Sequence, residues 1–309
     1  MAKAVLNEYK QQLYSIQLCS RVMKNFSEFP PDFLNKLAQT DVQRALDEDV
    51  GEGDLTAALV PSDRMARAHI VAREAAVLCG QPWVNAALMA LDPCAQLSWH
   101  VQEGQHCTAG QVVLTIQGRA QALLSAERTA LNFLQLLSGV ATKTAVFVAA
   151  VEGSCTAIVD TRKTLPGLRL AQKYAVKTGG GINHRMGLYD AILIKENHIA
   201  AAGGVAQVLA KAKASAPLAK FVQIEVETLP QLDEALACGA TMLLLDNMDL
   251  PTLHEAVRRN AQRAVLEISG GVSLQTVREL AQTGVDRISI GALTKDVQAV
   301  DYSMRFDEV

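Results

Sequence analysis

Residues 221–246 read FVQIEVETLPQLDEALACGATMLLLD, a pattern from which the fold can be inferred. The apolar runs at 221–226 and 242–245 are short and bounded by polar or turn residues, as expected of buried strands. Residues 229–237 between them place leucine and alanine at helical intervals. Parallel strands need a crossover connection, so this strand–helix–strand pattern predicts one unit of a parallel sheet.

The same alternation extends along the chain after residue 155. Six apolar runs predict strands, at residues 157–159, 191–194, 221–226, 242–245, 265–268 and 287–290. Amphipathic stretches at residues 205–214, 229–237, 251–260 and 273–282 lie between most of them. This alternation is typical of a parallel sheet or an α/β barrel. A closed barrel needs at least one strand more than these six, so an open doubly wound sheet is an alternative.

The chain before residue 139 is organised differently. Residues 3–25 and 32–46 have helical patterns, and short β-like runs between residues 65 and 118 are separated by glycines. This mixture predicts a small α+β domain. A further helix is predicted at residues 121–137, with a break at Gly139 before the next helix.

Composition and charge exclude several classes of function. The chain has 309 residues, half of them apolar and a fifth charged, and its net charge is −3. A general nucleic-acid binder would usually be basic. No apolar run approaches the roughly 18 residues that suggest a membrane span. The first 25 residues lack the apolar core of a secretory signal, which predicts a cytoplasmic protein.

Polar residues occur where each predicted strand ends. In α/β barrels these ends face one mouth, where the active site lies. A single polar residue at such a position is usually a helix cap, but six in succession favour a shared site. The six residues are Asp160, Lys195, Glu225, Asp246, Ser269 and Ser289.

Residues 161–195 form a basic island in a slightly acidic protein. They contain seven lysines and arginines and a single acid, Asp190. A solvated helix face accounts for Lys173 and Lys177. It fits Arg162-Lys163 and His184-Arg185 poorly, because these pairs adjoin strands and glycine-rich turns. Arginine can bind carboxylate or phosphate at two points, so the expected ligand carries several negative charges.

Two glycine turns follow strands near the end of the chain. They read Ser269-Gly270-Gly271 and Ser289-Ile290-Gly291, and the first directly precedes a predicted helix. Backbone N–H groups at such turns can bind phosphate, aided by a helix dipole. Each turn alone is more often an ordinary tight turn, but successive turns of this kind form phosphate sites in barrels.

Five motifs resemble those of the quinolinate phosphoribosyltransferase family. In chain order they match the family's GD(I/L)T, ER-x-x-LN, DTRKT-x-PGLR, GGG-x-NHR-x-x-L-x-D and (I/L)KENH patterns. The matching residues are 53–56, 127–132, 160–169, 179–190 and 194–198. The likeness spans roughly residues 34 to 306, and the chain departs from the family mainly at its N-terminus.

The resemblance implies a fold and a division of the chain. The fold class is α/β: an N-terminal α/β sandwich domain followed by an incomplete, six- or seven-stranded α/β barrel. We assign residues 1–31 to an N-terminal extension, 32–138 to the sandwich domain and 139–309 to the barrel domain. The C-terminal tail can return to the N-terminal domain. The family also implies a homodimer, or a multiple of dimers, with shared active sites.

The resemblance implies roles for the site residues as well. Arg128 would reach into the partner's barrel, and Glu225 and Asp246 would lie by the ribose and contact Mg²⁺ indirectly, through water. The catalytic set would be Lys163, Lys195, Glu225 and Asp246. The anionic pocket would be lined by Thr161, Arg162, Lys163, His184, Arg185 and Lys195. The phosphate would contact Ser269, Gly270, Gly271, Ser289 and Gly291.

The implied reaction joins quinolinate to phosphoribosyl pyrophosphate with loss of CO₂, giving nicotinate mononucleotide and pyrophosphate for NAD biosynthesis. We expect no nucleic-acid or membrane partner. One alternative is a paralogue that resembles nicotinate phosphoribosyltransferase or a molybdenum-associated relative. Another is a Schiff-base aldolase with Lys195 as nucleophile, because a lysine at a barrel strand end suits that role. A third is a non-catalytic binding module.

Overall fold

The structure is a computed structural model that describes residues 28–307. The helix predicted at residues 3–25 lies outside these residues. Up to residue 150 the longer elements are α1 (Pro31–Asp49), β1 (Met65–Ala72), β2 (Ala76–Val77), α2 (Gln81–Leu91), β3 (Gln96–Trp99), β4 (His106–Cys107), β5 (Val112–Arg119) and α3 (Ala120–Ala150). A short 3₁₀ helix spans Ala57–Leu59.

The rest of the chain alternates strands and helices. Its elements are β6 (Ala157–Val159), α4 (Arg169–Thr178), β7 (Ile192–Ile194), α5 (Glu196–Ala202), α6 (Val205–Ser215), β8 (Val222–Val226), α7 (Leu229–Ala237), β9 (Met242–Asp246), α8 (Leu250–Asn260), β10 (Val265–Ser269), α9 (Val277–Gln282), β11 (Arg287–Ser289), α10 (Ala292–Lys295) and β12 (Tyr302–Phe306). A second 3₁₀ helix spans Ala216–Leu218.

The described chain divides into two compact units. The first, the antiparallel-sheet unit, comprises residues 28–145, 163–180 and 292–307. The second, the parallel-sheet unit, comprises Val146–Arg162 and Gly181–Gly291.

The antiparallel-sheet unit contains a four-stranded sheet with strand order β12-β1-β5-β3. Strand β12, near the C-terminus, pairs antiparallel with β1, with Tyr302 opposite Ala72. Alternate residues of β1 (Ala68, Ile70 and Ala72) are fully buried. This period of two is the pattern of a sheet with one face in the core.

Helix α3 is one continuous helix of 31 residues, so the break predicted at Gly139 is wrong. The glycine serves close packing instead. A Cβ at Gly139 would lie 2.1 Å from the Gln298 carbonyl oxygen. The helix is also long and apolar enough to cross a membrane by length and composition, and half of its most apolar 18-residue window is buried. A core helix of a folded domain passes the same test.

The parallel-sheet unit contains six strands in the order β6-β11-β10-β9-β8-β7. All five pairings are parallel. Residue Ile182 forms one further parallel bridge to Val159 of β6, but the barrel is not closed. The predicted α/β fold class, a sheet domain with an incomplete barrel, is confirmed.

Helices begin in this unit where the sequence provides caps. The side chain of Asp249 accepts a hydrogen bond from the Thr252 N–H at the start of α8, and Thr228 does the same for Gln231 at α7. Such caps satisfy N–H groups that the helix leaves unpaired. The two caps fix the positions at which the loops after β8 and β9 end and the next helices begin.

Candidate active site

The predicted strand-end residues lie at one edge of the parallel sheet. Asp246, Ser269 and Ser289 are the last residues of β9, β10 and β11 and lie side by side in register. Asp160 directly follows β6, and Lys195 directly follows β7. Parallel strands end at the same edge, so these side chains surround one mouth.

Asp160 fixes the loop that carries the NHR motif. Its carboxylate is fully buried and accepts hydrogen bonds from Asn183 Nδ2 at 2.7 Å and from the His184 N–H at 2.9 Å. Ile182 is held beside β6 by backbone hydrogen bonds to Ile158 and Asp160. The loop is therefore attached to the end of β6, which places Arg185 at the edge of the sheet.

Arg162 and Arg185 form a cationic pair. Arg185 is buried, and its Nη1 donates to the Ala191 carbonyl oxygen at 3.3 Å. Burial lowers the pKa of Arg185 first, and the like charge of Arg162 lowers it further, against the opposing effect of Asp190. The buried Nε of Arg162 has no hydrogen-bond partner within residues 28–307. The arrangement suits an anionic ligand.

The Asp190 carboxylate, which favours the charged form of Arg185, also accepts hydrogen bonds from the N–H groups of Met186 and Gly187 at 2.8 and 3.0 Å. It therefore supports the loop as well as the charge of Arg185.

The His184 ring is buried beside the pair. Its Nδ1 accepts a hydrogen bond from the Arg185 N–H at 2.8 Å, and its Nε2 lies 2.8 Å from Gln223 Oε1. Burial is the largest cause of a lowered His184 pKa, opposed by the nearby Glu267 carboxylate. His184 is therefore a neutral ring near neutral pH.

Lys195 and Glu225 form an ion pair at the same edge. Lys195 Nζ lies 3.1 Å from Glu225 Oε2, with the lysine half exposed and the carboxylate almost buried. Glu227, two residues later, is exposed and lies beyond the end of β8. Of these two acids, Glu225 is therefore the one at the strand end.

Asp246 and the glycine turn after β10 lie next to each other. Asn247 Nδ2 donates to Asp246 Oδ2 at 3.1 Å, and Asp246 Oδ1 lies 3.6 Å from the position of a Cβ at Gly270. Gly270 and Gly271 have φ angles of 102° and 60°, which favour glycine. The expectation that this turn directly precedes a helix is wrong, because α9 begins only at Val277.

The second glycine turn follows β11. The Ser289 hydroxyl donates to the Ile268 carbonyl oxygen at 3.3 Å. This bond attaches the end of β11 to β10, the strand that carries the first turn. Any phosphate contact here would therefore rely mainly on backbone N–H groups.

Arg128 and Lys163 belong to the antiparallel-sheet unit. Arg128 is exposed on α3. Lys163 is exposed as well, and its carbonyl oxygen accepts a hydrogen bond from Thr294 Oγ1 at 2.7 Å. Thr161, by contrast, is half-buried in the parallel-sheet unit. Lys173 is fully buried on α4, so its prediction as part of a solvated face is wrong, whereas Lys177 is exposed.

Sequence reasoning missed three polar residues inside the parallel sheet. Gln223, Glu267 and Arg287 are 0%, 0% and 2% exposed. Each interrupts or begins an otherwise apolar strand, and a buried polar group usually has a specific partner. That interruption is the signal in the sequence that could have identified them.

The described residues contain no group of three or more His, Cys, Asp or Glu side chains that could hold a metal ion. Of the three acids at the strand ends, Asp160 is buried and hydrogen-bonded to the loop, which leaves Glu225 and Asp246. Two acids fit Mg²⁺ that keeps several waters and binds substrate phosphates, rather than an all-protein cage.

The fold and the site define a class of protein: an α/β enzyme with a cationic anion-binding site at the carboxyl edge of a parallel sheet. Sequence comparison narrows this class. Residues 54–138 match the N-terminal domain of quinolinate phosphoribosyl transferase, and residues 140–305 match its C-terminal domain. The chain therefore belongs to the quinolinate phosphoribosyltransferase family.

Relatives agree with this assignment. The nicotinate-nucleotide pyrophosphorylase [carboxylating] of Mycobacterium leprae is 43% identical over 277 residues, covering 86% of this chain and 96% of the relative. A probable enzyme of the same name from Bacillus subtilis is 40% identical over 257 residues, covering 83% and 89%.

The solved structure of the nicotinate-nucleotide pyrophosphorylase from Francisella tularensis superposes with a TM-score of 0.87 at 40% identity, covering 92% of this chain and all of that one. Human nicotinic acid phosphoribosyltransferase shares the fold alone, at 13% identity and a TM-score of 0.60 over 87% of this chain and 73% of that one.

Proposed function

We propose that this chain transfers the phosphoribosyl group of phosphoribosyl pyrophosphate to quinolinate with loss of CO₂, forming nicotinate mononucleotide and pyrophosphate. The observation that carries this proposal is the Arg162–Arg185 pair. Quinolinate has two adjacent carboxylates, and two guanidinium groups can bind them at separate points. Neutralising both substrates in a partly dry cleft requires such fixed cations.

The chemistry follows from the substrates. The pyridine nitrogen attacks the anomeric carbon of the ribose while the bond to pyrophosphate breaks, through an oxocarbenium-like transition state comparable to that of glycoside transfer. Glu225 and Asp246 would stabilise the positive charge that develops on the ribose, directly or through its hydroxyls. Lys195, ion-paired with Glu225 at 3.1 Å, would fix that carboxylate and, with Lys163, face the anionic groups.

The second step needs no further cofactor. Once alkylated, the ring nitrogen carries a positive charge, which stabilises the electron pair left on the neighbouring ring carbon when the C–C bond to the 2-carboxylate breaks. CO₂ leaves and a proton takes its place on the ring carbon. Mg²⁺, when bound with phosphoribosyl pyrophosphate, would neutralise the pyrophosphate oxygens. Glu225 and Asp246 would hold it through water, while the turns at Gly270-Gly271 and Gly291 would contact phosphate.

We also propose a homodimer in which Arg128 serves the partner's site. Arg128 is an exposed cation on α3, away from the strand ends of its own chain in sequence. A two-fold dimer buries the same surface twice, so each subunit can donate an arginine to the other. The protein would act in the cytoplasm.

The Schiff-base aldolase alternative is less well supported. An amine must offer a free lone pair to attack a carbonyl, whereas Lys195 Nζ is ion-paired with Glu225. Borohydride trapping with a carbonyl substrate should therefore leave the chain unmodified.

The proposal is tested by measuring CO₂ release from quinolinate labelled at the 2-carboxylate. We expect release that depends on both phosphoribosyl pyrophosphate and Mg²⁺, with formation of an equal amount of nicotinate mononucleotide. Boiled protein and nicotinate in place of quinolinate are the controls. Release without phosphoribosyl pyrophosphate, or none with it, would show that the chain does not catalyse this reaction.

A further inference from the structure

A polar network crosses the interior of the parallel-sheet unit behind the cationic pair. Arg287 Nε on β11 lies 3.2 Å from Glu267 Oε2 on β10. Gln223 Nε2 on β8 donates to the same oxygen, also at 3.2 Å. Gln223 Oε1 in turn lies 2.8 Å from His184 Nε2. Three strands thus connect to the loop that carries Arg185.

The chemistry of the groups fixes the direction of these hydrogen bonds. An ionised carboxylate only accepts, so Gln223 must present its NH₂ group to Glu267. Its carbonyl oxygen then faces His184 and can only accept. The proton on the His184 ring must therefore be on Nε2.

The other side of the ring gives the same answer independently. The Arg185 backbone N–H donates to His184 Nδ1 at 2.8 Å. A ring nitrogen can accept only if it carries no proton, so Nδ1 is the unprotonated atom. Gln223 requires a proton on Nε2 and the Arg185 N–H requires none on Nδ1, so the two neighbours together define the neutral Nε2–H tautomer.

We propose that Gln223, Glu267 and Arg287 are positioning residues that hold His184 as the neutral Nε2–H tautomer and so fix the backbone of Arg185 at the anion site. This inference rests on the proposed function, in which Arg185 binds a substrate carboxylate. The positive charge of the pocket then comes from arginines and lysines, while His184 remains uncharged and its Nδ1 accepts the hydrogen bond from the Arg185 N–H.

Gln223 has a specific task in this network, because it separates His184 from a carboxylate. Burial, the largest effect, and Arg287 disfavour the charged ring, whereas Glu267, the hydrogen bond to Gln223 and Asp160 favour it. The rings of His184 and Phe221 are nearly perpendicular, with their centroids 5.3 Å apart. Glu267 Oε1 lies only 3.6 Å from His184 Nε2. Without the amide, the ring Nε2–H would face Glu267 Oε1 in place of the amide oxygen, so its hydrogen bonding would change.

The test uses protein labelled with ¹⁵N-histidine, in which the His184 ring signals are assigned by their loss in His184→Gln. In the wild type we expect the neutral Nε2–H pattern between pH 7 and 8. In Gln223→Leu we expect the ring signals to depart from this pattern, because Nε2–H loses its amide acceptor. The kcat/KM for quinolinate should fall about tenfold, mainly through KM, because Arg185 loses its support. The KM for phosphoribosyl pyrophosphate should change less than twofold.

A matched control is Gln172→Leu. Gln172 is also fully buried and hydrogen-bonded, but in the antiparallel-sheet unit, to Leu165 and Thr294. The Gln172→Leu variant should leave the His184 ring signals unchanged. If Gln223→Leu does not fold, Glu267→Gln keeps the volume and removes the fixed acceptor, so the ring signals should change in that variant.

An imidazolium or an Nδ1–H tautomer in the wild type at pH 7.5 would overturn the proposal, and so would unchanged ring signals in the folded network variant. The ring signals need no substrate. Failure of the proposed reaction would therefore appear as absent CO₂ release with the ring state as expected, which distinguishes the two.

Discussion

From the Arg162–Arg185 pair we predict that the enzyme prefers quinolinate over nicotinate. Two changes test this: nicotinate, which lacks the 2-carboxylate, replaces quinolinate, and glutamine replaces Arg162. In the wild type, quinolinate can neutralise both guanidinium groups, whereas nicotinate can neutralise only one. The remaining arginine would stay partly buried next to a like charge, with Asp190 as the nearby acid that opposes the effect.

The size of the effect follows from the cost of leaving a charged hydrogen-bonding group without its partner. That cost is about 1.5–3 kcal/mol, which corresponds to roughly tenfold to 150-fold in kcat/KM. We therefore expect the wild type to prefer quinolinate by at least tenfold. In Arg162→Gln, quinolinate should lose about this factor while nicotinate loses much less, so the preference should nearly disappear.

Stability should change in the opposite direction to activity. Removing one of two adjacent like charges relieves repulsion in the unliganded protein, so Arg162→Gln should melt at an equal or higher temperature than the wild type. Arg73→Gln on the antiparallel-sheet unit is a control for simple loss of positive charge. Steady-state kinetics with both substrates and thermal melts without ligand test the prediction. Equal efficiency of the wild type on the two pyridines, or an undiminished preference in Arg162→Gln, would refute the reasoning.

Three further predictions address other parts of the site. Glu225→Gln and Asp246→Asn should lower kcat more than they raise KM, as expected when transition-state stabilisation is lost; a change confined to KM would contradict this. Mixed dimers refolded from equal amounts of Arg128→Ala and Lys195→Ala should recover about a quarter of wild-type activity, because half the dimers are mixed and each has one intact site; mixed dimers without activity would exclude a shared site. His184 has a folded-state pKa below its ordinary value of 6.5, so its contribution to stability is complete above pH 6.5 and is lost as the pH falls below it. The melting temperature of His184→Gln should therefore fall less steeply than that of the wild type between pH 6.5 and 5, and equal slopes would contradict this.

The sequence predicted the parallel sheet well because its strands are buried on both faces. Strand β9 is a run of four buried apolar residues that ends at Asp246. Such runs, alternating with amphipathic helices, leave few other architectures. The polar residues at their ends could be placed for the same reason, since parallel strands end at one edge. The motifs then gave the family, which composition and periodicity could not.

The errors have local physical causes. Gly139 predicted a helix break, but the glycine is there because the backbone at Gln298 packs against the helix. That contact joins residues far apart in sequence, and local propensity cannot reveal it. Lys173 looked solvated by composition, yet the face of α4 that carries it is buried. The helix predicted directly after Gly271 begins later, at Val277, because hydrogen bonds between Ser273 and Thr276 form a turn before it.

The pairing of polar residues in the interior network cannot be predicted from the separate strands. Gln223 and Glu267 make a hydrogen bond at 3.2 Å, although β9 lies between their strands. Neighbouring strands are roughly 4.8 Å apart, so these two backbones are separated by about twice that distance. Their side chains therefore meet across β9. A sequence shows that each polar residue interrupts an apolar strand, but the pairing depends on the order of the strands, a property of the whole sheet. Residues that support a site from across such an interior therefore have to be found in the structure.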